Sequence, residues 1–118
     1  LDRECTREDP ITDDMALWID TGDGLAVISG CAHAGIVNTL EYVSESAGGK
    51  PVRWVIGGLH LLHASPDGIE RTADYLSRLV PEAVAPCHCT GARATEILRR
   101  RLGGAFRDIR SGSVLELP

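Results

Sequence analysis

Apolar residues first gather at Met15–Asp20 and Leu25–Ser29, two short runs separated by Thr21-Gly-Asp-Gly24. Gly and Asp tolerate positive φ, so this spacing predicts a β-hairpin. The second run is almost wholly apolar, which predicts a strand buried on both faces. From Ala34 the period changes to three and four. Ile36, Val37, Leu40 and Val43 fall on one side, Glu41 and Glu45 on the other, and Gly48-Gly49 stops the pattern. That is an amphipathic helix with a glycine end. Val52–Ile56 reads as a strand. Ser65-Pro66 then opens a second helix, with Ser as N-cap and Pro in the first turn. Its apolar stripe is Ile69, Ala73, Leu76, Leu79 and Val80, and Pro81 closes it. Ala83–Ala85 is a further strand, and Thr90 is the expected N-cap of a third helix marked by Ala94, Ile97, Leu98 and Leu102. Phe106–Ile109 and Ser113–Leu117 read as two final short strands. Residues 1–14 are polar, acidic and aperiodic, a lead-in loop.

The order ββαβαβαββ predicts a layered α/β arrangement, a mixed sheet with helices packed on it. No linker or repeat divides residues 1–118, so one domain, or part of one, is expected. At 118 residues, 43% hydrophobic and 25% charged, the chain has ordinary soluble-domain composition. Aromatics are 4%, so the core must be aliphatic. A net charge of −5 disfavours nucleic-acid binding by counterion release. No apolar run approaches the roughly 18–20 residues of a membrane span, which disfavours a membrane role. Four cysteines stand at 5, 31, 87 and 89, the last two flanking His88 too closely to pair with each other. A reducing, cytoplasmic setting with thiols available to metal is the expectation.

The histidines carry the chemistry. His33 follows the strand at 25–29, His60 the strand at 52–56, and His88 the strand at 83–85, at intervals of 27 and 28 residues. Each interval is one strand–helix unit. Strands so connected run parallel, and their carboxyl ends share the sheet edge where open α/β sheets place their sites. Three imidazoles converging there form a metal-site pattern. Cys31, two residues before His33, is a further candidate ligand. Gly30, Gly35, Gly57, Gly58 and Gly91 crowd the same turns, where backbone approaches a ligand or adopts unusual torsions. Thr90 and Gly91 would present helix N-terminal N–H groups to an anion. His63 reads as a surface residue, and Cys87 and Cys89 as side chains alternating away from His88. Arg99-Arg100-Arg101 reads as a solvated helix end.

Four segments together resemble the metallo-β-lactamase-fold hydrolases. They are Asp13-Asp14-Met-Ala-Leu17, Gly24-Leu-Ala-Val-Ile-Ser-Gly-Cys-Ala-His33-Ala-Gly-Ile-Val-Asn38, Val55-Ile-Gly-Gly-Leu-His60-Leu and Pro86-Cys-His-Cys-Thr-Gly91. The branch they look most like is the dihydropterin ribofuranosylaminobenzene phosphate synthase-like proteins. The resemblance implies an αββα sandwich holding one or two divalent metal ions, usually zinc, with manganese or iron as alternatives. By resemblance, His88 matches the last metal-binding histidine. Cys31 stands in the column of a bridging Asp, and His33 is the branch's own residue and the favoured ligand of the two. His60 is a ligand or substrate contact. The superfamily's His-x-His-x-Asp-His motif is absent, since no histidine precedes position 33.

The sequence therefore reads as the C-terminal half of such a sandwich, with Leu1 a cut edge. The complete enzyme would be a metal-dependent hydrolase acting through a metal-bound water on a small anionic, phosphate-bearing substrate. This chain alone is expected to be inactive. The alternative is a catalytically silent half-domain that needs a separate N-terminal half or a second copy of itself. A compact structural zinc module is disfavoured, because no paired C-x-x-C spacing is present.

Overall fold

A computed structural model describes residues 14–117. The expected lead-in loop lies outside the described residues except for Asp14. The elements are β1 (Ala16–Asp20), β2 (Leu25–Ser29), α1 (Ile36–Ser46), β3 (Val52–Gly58), α2 (Pro66–Arg78), β4 (Ala83–Cys87) and α3 (Ala92–Leu102). Short 3-10 turns at His88–Thr90 and Gly103–Ala105 flank α3. The four strands lie in chain order, β1 antiparallel to β2 and the other neighbours parallel. The expected mixed sheet with helices on one face is what forms.

The hairpin closes as its composition requires: Thr21 donates both its backbone N–H and its hydroxyl to Gly24 O, and Gly22 N–H donates to Asp20 Oδ1. Each helix buries the stripe read from its period. Ile36, Leu40 and Val43 of α1, Ile69, Ala73 and Leu76 of α2, and Ala94, Leu98 and Leu102 of α3 join Leu25, Val27, Val52, Val55 and Val84 in one aliphatic core. Ser65 caps α2, its hydroxyl accepting from Gly68 N–H at 3.1 Å. Along β3 the alternation is broken once. Leu25 pairs with Val52 but Ala26 pairs with Trp54, so Arg53 is a bulge residue. The bulge turns Arg53 to Glu82, an ion pair at 3.2 Å, while Trp54 Nε1–H donates to the other Glu82 oxygen.

The opposite face of the sheet is treated differently. Ala26, Trp54 and Ala83 form a small cluster with Ile56 and Leu117 against it. Beside them Leu17 is 60% and Ile19 41% exposed, so much of this apolar face lies open. The two expected carboxyl-terminal strands do not form. Only Phe106 bridges to Val84, followed by Arg107 N–H donating to Val84 O, and the chain then leaves the sheet. The reason is local: Ser113 N–H and hydroxyl both bond to Arg110, closing a turn that ends any extended run. Val80, placed on the α2 stripe by its spacing, is instead 69% exposed, with φ of 50°, in the turn after the helix.

The basic run at the end of α3 is exposed but not merely solvated. Arg100 pairs with Glu70 and Arg101 with Asp74, tying α3 to α2. Arg99 pairs with Asp108 at 3.1 Å and lies over the Phe106 ring at 4.6 Å, fixing the start of the carboxyl-terminal segment. Among the described residues no helix is long and apolar enough to cross a membrane.

Candidate metal centre

Parallel register brings three strand ends level: Ser29 lies beside Gly57, which lies beside Pro86, with Gly58 paired to Cys87 one residue further on. β2 then runs into Cys31 and β4 into His88 and Cys89. These strands flank β3, so their backbones stand about 9–10 Å apart, two strand spacings. Yet the Cys31 and Cys89 thiols and a His88 ring nitrogen all lie within 4.8 Å of one another. They meet by leaning across the end of β3, and Gly58 makes that possible. A Cβ built there would stand 2.4 Å from Gly30 O, 2.8 Å from Cys89 Sγ and 3.1 Å from Cys31 Cα. The glycine at this turn is a requirement of the cluster.

Hydrogen bonds hold the strand ends in place. The Ser29 hydroxyl, buried between β2 and β3, donates to Gly58 O at 2.8 Å. Gly58 N–H donates to Gly30 O, and Cys89 Sγ lies 3.5 Å from Cys31 O as its acceptor. Ala32, His60 and His88 have left-handed backbone, with φ of 58°, 50° and 51°. Such torsions in residues other than glycine persist where the surroundings over-determine them, and they concentrate at functional sites.

The three-imidazole convergence expected from spacing divides in two. His88 joins Cys31 and Cys89, whereas His33 and His60 pair with each other, edge to face, with ring centroids 4.7 Å apart. Between the two β2-turn candidates, it is Cys31 that reaches His88. His33 Nδ1 and Asp14 Oδ1 are both buried without a hydrogen-bond partner among the described residues, although the other Asp14 oxygen accepts from Ala34 N–H. His63 is exposed, as expected.

Cys89 is the residue that sequence reasoning turned the wrong way. Alternation holds while the chain is a strand, but β4 ends at Cys87 and residues 88–90 form a 3-10 turn. His88 and Cys89 therefore swing to the same side. Cys87 stays in the strand, where burial pushes its thiol up from the usual range and the neighbouring Cys89 adds to the shift.

Thr90 does not cap α3. It is fully buried, its hydroxyl accepts from Leu59 N–H and donates to Cys87 O, and Gly91 occupies the cap position. The hydroxyl is thus engaged with backbone on both its donor and an acceptor side. Gly91 owes its identity to packing, because a Cβ there would stand 3.0 Å from Leu62 Cα at a φ of 80°. It does line a cavity of about 710 Å³ that begins at His88.

Two thiols and an imidazole are a donor set suited to zinc and other borderline ions. Tetrahedral zinc with bonds of about 2.3 Å places sulfurs roughly 3.8 Å apart. The observed spread is therefore within about 1 Å of closing on an ion. His88 is exposed while both thiols are half-buried, which leaves one side of the cluster open. Three protein donors with an open side match catalytic rather than closed structural sites.

No protein-family model matches the chain. Over 108 residues, 92% of its length, it is 32% identical to the 7,8-dihydropterin-6-methyl-4-(β-D-ribofuranosyl)-aminobenzene-5′-phosphate synthase of Methanocaldococcus jannaschii, of which it spans 37%. An uncharacterized protein of the same organism is 34% identical over 87 residues, 74% of this chain and 31% of that protein. Among solved structures, a metal-dependent hydrolase of the β-lactamase superfamily superposes with a TM-score of 0.85 and 40% identity. That match covers 94% of this chain and 43% of the other. The chain thus spans less than half the length of each of these relatives.

Proposed function

Since the chain belongs to the β-lactamase superfamily, we propose that it forms the C-terminal part of a metal-dependent hydrolase in which Cys31, His88 and Cys89 hold a divalent ion, zinc by donor chemistry. The observation that carries this reading is the meeting of those three donors over Gly58 at the carboxyl edge of the sheet. When bound, such an ion supplies Lewis-acid polarisation of the scissile group and a water acidified toward neutrality.

The chain's own residues do the rest. Cys31 and Cys89 supply negative charge that compensates the ion. His88, the exposed donor, borders the cavity into which substrate enters. His60, also exposed, stands beside His33 at the next strand end, where the pair contacts substrate or a second ion. The substrate is a small anionic molecule, and the name of the M. jannaschii relative, a 5′-phosphate synthase, favours a phosphate-bearing one. A cytoplasmic setting belongs to the same reading, because the thiols must stay reduced to bind metal.

Zinc uptake tests the site by stability. At a hundredfold excess over Kd, binding to the folded state alone contributes about 2.7 kcal/mol. In a chain of this size that raises Tm by roughly 10 °C. Thermal unfolding with and without equimolar-excess zinc is expected to show this rise. An unchanged Tm, with no zinc retained after gel filtration, would rule the site out.

The open sheet face supports the partial-domain reading. Leu17, Ile19 and Ile28 form an apolar band beside the Ala26–Trp54–Ala83 cluster, too extensive for a layer meant to face water. A second sheet, from the rest of the fold or from a second copy, covers it. The second case is the assembly-module alternative. Sedimentation at increasing concentration is expected to show association or binding of an apolar dye; a clean monomer that binds no dye counts against both versions.

A further inference from the structure

The cavity that begins at His88 has a second wall. From Cys87, His88 and Gly91 it extends over about 710 Å³ to Thr95 of α3 and to Asp108 and Arg110 of the carboxyl-terminal segment. That volume lies in the range of small-molecule sites, about 300–1,000 Å³. Its lining includes both a member of the metal-donor cluster, His88, and an exposed arginine, Arg110.

The charge balance across that wall is uneven. Asp108 is neutralised by Arg99 at 3.1 Å. On the helices Arg71 is matched by Asp67, Arg100 by Glu70 and Arg101 by Asp74, while Arg78 and Arg93, both outside the cavity wall, have no ion pair among the described residues. Arg110 makes no ion pair with any described residue, and its guanidinium has no acidic partner on the cavity wall. Its backbone is nonetheless held, since Arg110 N–H donates to the Ser113 hydroxyl and Arg110 O accepts from Ser113 N–H. The cavity wall therefore holds an arginine with no ion pair among the described residues, on an anchored turn. A guanidinium offers a planar fork of donors that matches the two oxygens of a phosphate or carboxylate.

We propose that Arg110 is a specificity-determining residue: it binds an oxyanion, phosphate or carboxylate, at the non-reacting end of a substrate whose reacting end faces His88. This inference rests on the hydrolase reading above and adds to it the way the substrate is oriented. It also gives the carboxyl-terminal segment, which does not complete the sheet, a role in recognition.

The test is an amide chemical-shift titration of the chelator-treated chain with inorganic phosphate and, separately, with acetate at constant ionic strength. Without metal, an oxyanion has no ion to bind. At least one of the two is expected to shift Gly91, Thr95 and Ser111, and the tighter one identifies the end group. In Arg110→Ala the affinity is expected to fall about tenfold or more, with partial recovery in Arg110→Lys, which keeps the charge but not the fork. Arg93→Ala, an exposed arginine outside the cavity wall, serves as the control and should titrate like the parent. Equal binding by parent and Arg110→Ala, or no shift with either anion, overturns the inference. Zinc content measured on the same proteins separates the two readings. Zinc retained without oxyanion binding removes only the Arg110 role, whereas oxyanion binding without zinc uptake removes the metal site.

Discussion

Gly58→Ala is expected to destabilise the chain by about 1–3 kcal/mol or more, the range for overpacking a tight interior, and to cost it zinc binding. The new methyl would meet Gly30 O at 2.4 Å, Cys89 Sγ at 2.8 Å and Cys31 Cα at 3.1 Å. Two of those three atoms belong to backbone on the neighbouring strand end, so no rotamer change relieves them. The only soft response moves Cys89, and that opens the donor cluster. Stability and metal affinity should therefore fall together. Gly104→Ala is the matched control: a Cβ there meets nothing within 4 Å, so the effect should stay within about 0.5 kcal/mol. Urea unfolding and zinc titration measure both. A Gly58→Ala protein that binds zinc like its parent would show that the cluster does not depend on that close approach.

The second large effect separates Cys89 from Cys87. The two thiols are two residues apart, yet one leans over β3 toward His88 and the other remains in β4. In the proposed site Cys89→Ser removes one of three donors, and zinc affinity should fall on the order of a hundredfold. Cys87→Ser should change it by less than about threefold. Cys87 lies outside the group of donors that stand within 4.8 Å of one another, so its loss removes no ligand. Matching losses in the two variants would contradict the geometry.

These two residues also mark where the sequence stops being readable. Ile36, Leu40 and Val43, or Ala94, Leu98 and Leu102, announce their helices because burial of one face imposes a period, and the structure buries those same residues. The strand-end placement of His33, His60 and His88 follows from parallel strands joined by helices, and it too is observed. The grouping of those side chains is another matter. Spacing puts residues on one edge; the backbone beyond the last ladder bond decides where they point. At His88 a φ of 51° starts a 3-10 turn, and the rule of alternation ends there. That is why Cys89 enters the cluster and Thr90 turns inward to bond Leu59 and Cys87. His33 and His60 form their own pair because left-handed Ala32 and His60 redirect both loops.

The carboxyl-terminal segment failed for a different reason. Ser113–Leu117 has a strand's alternating pattern, and alternation reports a half-buried extended segment without saying what pairs with it. Here no described strand does. Leu117 packs against the Ala26–Trp54–Ala83 cluster on the sheet's face instead of joining its edge. The bulge at Arg53 was equally hidden, because one extra residue in Val52–Ile56 leaves the apolar run looking continuous.

The central claim is that two thiolates and one imidazole hold the ion at the sheet edge, and cobalt substitution tests it most directly. Cobalt(II) bound by Cys31, His88 and Cys89 should give an intense thiolate-to-cobalt charge-transfer band at one ion per chain. The band should weaken by about half in Cys31→Ser and in Cys89→Ser, and persist unchanged in Cys87→Ser. Stoichiometric cobalt without that band, or a band that survives loss of both Cys31 and Cys89, would contradict the account.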